Sequence, residues 1–122
     1  MKNKLMIFIP DNEIDSVRMQ LQDFSITEAG SVDKVVEKVS NGERPDILIV
    51  DSRDSDEIIN RLKQAEIEIP VIILTEIHVN RDKMARDSYY LRNVSISYKP
   101  GKTSNKMLKY LVEELTCSKK VG

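Results

Sequence analysis

The chain has 122 residues, of which 40% are hydrophobic and 32% are charged, and its formal net charge is −1. This length suits one domain with a substantial core, and the composition excludes an intrinsically disordered chain. The small net charge gives no reason to expect binding to nucleic acid or to a membrane surface, and no run approaches the roughly 20 apolar residues that span a bilayer. We therefore expect a cytoplasmic protein with one domain over residues 1–117 and a polar tail or linker remnant over residues 118–122.

The first two strand–helix units are predicted from apolar runs and helix caps. Residues 5–9 form an apolar run typical of a buried strand, and Asp11 or Asn12 can cap the helix that follows. Residues 25–28 alternate polar and apolar side chains, which predicts a short strand near a sheet edge. Ser31 can then cap a second amphipathic helix.

The rest of the chain repeats this alternation of strands and helices. The remaining predicted elements are a strand over 46–51, a helix over about 55–65, a strand over 71–75, a helix after Asn80, a strand over 94–99 and a helix after Thr103. Strands that alternate with helices imply right-handed crossovers and a parallel sheet covered on both faces. Five such strands predict a flavodoxin-like (βα)5 doubly wound fold with strand order 2-1-3-4-5.

Four reactive side chains are predicted to lie at one edge of this sheet. Asp51, Thr75 and Lys99 end the third, fourth and fifth strands, and Asp11 closely follows the first. Ligands of open α/β sheets bind outside the carboxyl ends of the strands at the switch point, which here lies between strands 1 and 3. Asp51 alone would more often be a helix cap or a turn residue, but four such strand ends together favour a chemical site.

The residue types at this edge favour phosphoryl chemistry. Two facing carboxylates, Asp11 and Asp51, favour a hard divalent cation such as magnesium. The Thr75 hydroxyl can donate to an anion, and the Lys99 ammonium adds a positive charge. A carboxylate is also a known nucleophile in aspartyl-phosphate chemistry, so these groups together can accept and hold a phosphoryl group.

This arrangement resembles the receiver domain of bacterial two-component response regulators over roughly residues 4–115. In that family a phosphoacceptor aspartate ends strand 3, a threonine or serine ends strand 4, and a Lys-Pro pair with an often cis peptide bond ends strand 5. The corresponding residues here are Asp51, Thr75 and the pair Lys99-Pro100. Together these features are quite specific, although each is weak alone.

The resemblance implies a phosphorelay function in signal transduction rather than enzymatic catalysis. Asp51 would accept a phosphoryl group from a sensor histidine kinase, with magnesium held by Asp11, Asp51 and the backbone carbonyl of Arg53. Thr75 and Lys99 would stabilise the phosphoryl group and switch the surface formed by the fourth helix, the fifth strand and the last helix. That surface would contact an output domain, a partner protein or a second copy of the chain, without membrane or direct nucleic-acid binding.

Several departures from the family pattern leave two alternatives open. Pro10 replaces the first of the two strand 1 acids, Glu76 occupies the place of a small residue, and Ile96 replaces the aromatic switch residue. The first alternative is therefore a pseudo-receiver, a protein-interaction module of the same fold that is not phosphorylated. The second is a flavin carrier or enzyme of the same topology. The loop over residues 10–13 argues against it, because this loop is acidic and lacks glycine.

Overall fold

A computed structural model describes residues 3–75, 94–98 and 107–121 of the chain. Within them, five parallel strands form one sheet in the order β2-β1-β3-β4-β5. The strands are β1 (Lys4–Phe8), β2 (Ser25–Glu28), β3 (Ile47–Asp51), β4 (Val71–Thr75) and β5 (Val94–Tyr98). The predicted flavodoxin-like order 2-1-3-4-5 is confirmed, and its switch point lies between β1 and β3. The helix predicted after Asn80 lies outside the described residues.

The helices cover both faces of the sheet and bury two separate apolar clusters. Their bounds are α1 (Asp11–Gln20), α2 (Val32–Ser40), α3 (Ser52–Gln64) and the C-terminal helix (Met107–Val121). Val35 of α2 and Ile58 of α3 belong to one cluster, while Val17 of α1 and Val112 of the C-terminal helix belong to the other. Successive strand residues alternate between these clusters, which explains why β3 and β4 are uninterrupted apolar runs.

Backbone in the left-handed conformation follows two of the helices, and a serine caps one of them. Ser31 caps α2, because its Oγ accepts a hydrogen bond from the N–H of Lys34 at 3.2 Å. Gly42 follows α2 with a φ of 92°, a conformation that glycine adopts without steric penalty. Glu66 follows α3 with a φ of 58°, although it carries a side chain. The predicted cap of α2 by Ser31 is therefore confirmed.

Two predicted helix starts are wrong. Neither Asp11 nor Asn12 caps α1, because Pro10 holds the cap position and its carbonyl accepts from the N–H of Glu13 at 2.9 Å. Helix α3 begins at Ser52 rather than near residue 55, because it follows β3 without a connecting loop. At the other end of the chain, the C-terminal helix continues through Val121, since no helix-breaking residue lies in residues 116–121. The predicted domain end at residue 117 stays a prediction.

Candidate functional site

Asp51 lies at the switch point of the sheet and is completely buried. It is the last residue of β3, its side chain is 0% exposed, and it pairs in register with Leu74 of β4. On the other side of β3, Val50 pairs with Phe8, the last residue of β1. The carboxylate therefore stands at the carboxyl edge of the central strand, as the sequence predicts.

Asp51 is also the N-cap of α3. Its Oδ1 accepts a hydrogen bond from the backbone N–H of Arg53 at 2.8 Å and a second from the Nε of the same residue at 3.3 Å. The structure therefore shows Asp51 as a helix cap, which the sequence analysis considered less favoured than a chemical site.

Thr75 places a buried hydroxyl at the same edge of the sheet, on the strand next to that of Asp51. It is the last residue of β4, it directly follows Leu74, and its side chain is 0% exposed. Within the described part of the chain, its Oγ1 makes no hydrogen bond. A buried hydroxyl without a hydrogen-bond partner destabilises the fold by about 1–3 kcal/mol. A functional role is one explanation for keeping such a group.

The fifth strand extends the same edge. Thr75 pairs in register with Tyr98, the last residue of β5. Lys99 and Pro100 follow Tyr98 directly in the sequence and lie outside the described residues, as does Glu76. The roles predicted for Lys99 and for the peptide bond before Pro100 therefore stay predictions.

The described donors fit a magnesium ion poorly. Asp11 is an exposed residue at the start of α1, and Arg53 lies in the first turn of α3, where carbonyls accept helical hydrogen bonds from four residues ahead. Over residues 3–75, 94–98 and 107–121, no three His, Cys, Asp or Glu side chains are grouped to hold a metal ion. The predicted ligand set of Asp11, Asp51 and the Arg53 carbonyl stays a prediction that this geometry does not favour.

The ion pair between the Arg53 side chain and Asp51 is the site contact that the sequence analysis missed. Its Nε forms an ion pair with Asp51, while 70% of the side chain remains exposed. The sequence signal for this contact is an arginine two residues after a helix-capping aspartate. That signal becomes informative only when α3 is known to begin at Ser52.

Comparison with known proteins identifies the fold. No family model and no curated protein matches the chain. Among solved structures, the receiver domain of the Francisella response regulator 1452 is 18% identical with a TM-score of 0.74, and the match covers 97% of this chain and 99% of that one. The signal receiver domain of a Vibrio parahaemolyticus protein is 13% identical with a TM-score of 0.73, covering 98% of this chain and 94% of that one.

The same fold also occurs inside a larger enzyme. The lysine decarboxylase of Francisella novicida matches 97% of this chain with a TM-score of 0.71 and 9% identity, but the match spans only 17% of the decarboxylase. The chain therefore has the fold of response regulator receiver domains, and its function has to be argued from the site. No helix in the described ranges is both long and apolar enough to cross a membrane.

Proposed function

We propose that this chain is a receiver module of two-component signal transduction, in which Asp51 accepts a phosphoryl group from a sensor histidine kinase. The observation that carries the proposal is the burial of both the Asp51 carboxylate and the Thr75 hydroxyl at the carboxyl edge of the neighbouring strands β3 and β4. That hydroxyl makes no hydrogen bond within the described residues, and a phosphoryl oxygen would be a suitable acceptor for it.

The transfer forms one bond and breaks one. An Asp51 oxygen attacks the phosphorus, and the phosphorus–nitrogen bond of the kinase phosphohistidine breaks, so that the imidazole nitrogen leaves with the electron pair. Oδ1 accepts two hydrogen bonds from Arg53, which hold the carboxylate at the N-terminus of α3.

The added phosphoryl group changes the bonding at the ends of β4 and β5. The Thr75 hydroxyl donates to a phosphoryl oxygen, and Lys99, which follows Tyr98, supplies a positive charge. This change shifts the equilibrium between two conformations of the predicted fourth helix, β5 and the C-terminal helix. The proposed partners of that surface are an output domain, another protein or a second copy of the chain, in a module that is itself not an enzyme.

A pseudo-receiver is the second candidate, and the burial of Asp51 favours it. The side chain is 0% exposed, so a phosphodonor reaches it only after neighbouring groups move. Helix α3 begins directly after Asp51, and the cap ties the carboxylate to that helix. In this alternative Asp51 is a structural residue, and the chain binds its partner without phosphorylation.

Intact mass after incubation with acetyl phosphate separates the two candidates. The receiver proposal expects the wild-type chain to gain one phosphoryl mass, and Asp51→Asn to gain none. This control is well matched, because asparagine caps helices about as well as aspartate, so the fold and α3 are retained. Reactions run with and without magnesium test the predicted cofactor. A folded wild-type chain that gains no mass under either condition supports the pseudo-receiver.

A further inference from the structure

The buried Asp51 carboxylate is compensated by groups of its own chain. A carboxylate removed from water needs an opposite charge and hydrogen-bond donors nearby. Here the backbone N–H of Arg53 donates to Oδ1 at 2.8 Å, at the N-terminus of a 13-residue helix whose dipole favours negative charge. The Arg53 Nε adds a full positive charge 3.3 Å from the same oxygen.

We infer that the Arg53 guanidinium takes the place of a divalent cation at Asp51, so that the buried carboxylate is stabilised without a bound metal. The inference concerns the resting site, goes beyond phosphoryl transfer and does not depend on whether Asp51 is a phosphoacceptor. A divalent ion added beside Arg53 would bring two more positive charges to this site, where Pro10 contributes no acid and Asp11 is exposed to solvent.

The Arg53 side chain lies between the Asp51 carboxylate and the solvent. Its side chain is 70% exposed, and its partner oxygen is fully buried, so the guanidinium covers the carboxylate from the solvent side. A cation approaching Asp51 would have to displace this side chain and would be repelled by its charge. Removing the guanidinium should therefore create a divalent-cation site at Asp51 where the wild-type chain has little affinity.

Binding of Mn²⁺ to the whole chain, measured by electron paramagnetic resonance of the free ion, tests this inference. Arg53→Gln, which keeps a long polar side chain without the charge, should bind Mn²⁺ at least about tenfold more tightly than the wild type, which corresponds to about 1.4 kcal/mol. Arg53→Lys keeps the charge and should resemble the wild type. The double variant Asp51→Asn/Arg53→Gln should lose the gain, because the carboxylate is absent.

Arg61→Gln is the matched control. Arg61 lies on the same helix and pairs with Asp33 of α2, so its loss removes the same charge away from Asp51. It should leave Mn²⁺ binding unchanged. The inference is overturned if Arg53→Gln gains no affinity, if Arg61→Gln gains as much, or if the gain survives in the double variant.

A second measurement on the wild-type chain does not depend on whether the Arg53 variants fold. Mg²⁺ should not raise the melting temperature beyond the effect of sodium chloride at equal ionic strength. A rise that is specific to Mg²⁺ and absent in Asp51→Asn would show that the wild-type site takes a divalent ion and would overturn the inference. Neither measurement uses a phosphodonor, so its outcome is separate from the test of phosphorylation.

Discussion

Thr75→Val should make the protein more stable and impair its signalling. Valine has nearly the shape of threonine, and it replaces the hydroxyl, which makes no hydrogen bond among the described residues, with a methyl group. Thr75 is 0% exposed, so the full desolvation penalty of the hydroxyl, about 1–3 kcal/mol, is relieved in the variant. Gains of this kind at a functional site are expected where a protein retains a destabilising group for its activity.

Thr116→Val provides the matched comparison. Thr116 is also a buried threonine, at 6% exposure, but its hydroxyl donates to the carbonyls of Val112 at 3.0 Å and Glu113 at 3.1 Å. Replacing it removes a hydrogen-bonded group and should destabilise the protein by about 0.5–1.5 kcal/mol. The same substitution is therefore expected to have opposite signs at the two positions.

Urea unfolding of the wild type and both variants measures this difference. The midpoint should rise for Thr75→Val and fall for Thr116→Val, with unchanged slopes, because the surface exposed on unfolding is nearly the same. The phosphorylated Thr75→Val variant should also bind its partner no better than the unphosphorylated form. A Thr75→Val variant that is less stable than the wild type would show that the hydroxyl already has a hydrogen-bond partner, and the proposed phosphoryl site would lose its main support.

Three further predictions concern the backbone and the cap. Glu66→Gly should stabilise the protein by about 1 kcal/mol in urea unfolding, because glycine relieves the left-handed conformation at a φ of 58°, whereas Glu66→Ala should bring no such gain. Gly42→Ala should cost about 1 kcal/mol or more at its φ of 92°, while Gly30→Ala, with open space around it, should cost less; equal losses would contradict the backbone explanation. Arg53→Gln loses the ion pair with Asp51 and should accept a phosphoryl group from acetyl phosphate up to roughly fivefold faster, because an ion pair with a largely exposed guanidinium contributes about 1 kcal/mol or less. An equal effect of Arg61→Gln would refute this.

Most of the fold is predictable because burial on both sheet faces leaves a clear sequence pattern. The apolar runs of β3 and β4 end at Asp51 and Thr75, and the structure ends both strands at these residues. Their alternation with helices is enough to predict the strand order. Strand ends are marked by a change from apolar to polar residues, so the positions of the candidate site residues follow from the same pattern.

Helix starts and side-chain pairing at the site were harder to predict. The start of α3 depends on whether Asp51 uses its side chain as a cap, and the residues that follow, Ser52 to Asp56, suit either a loop or a first helical turn. Once α3 begins at Ser52, Arg53 is brought beside the carboxylate. Similarly, Pro10 takes the cap position of α1 because its backbone conformation suits it, although its side chain offers no acceptor.

The most direct test of the central claim is to map the phosphorylated residue chemically. After treatment with a phosphodonor, borohydride reduces an aspartyl phosphate to homoserine with loss of phosphate, and peptide mass spectrometry then locates the change. We expect homoserine at position 51 and at no other acidic residue, with none in Asp51→Asn. Reduction at Asp11 or Asp54, or no reduction in a folded chain treated with several donors, would contradict the claim that Asp51 is the phosphoacceptor.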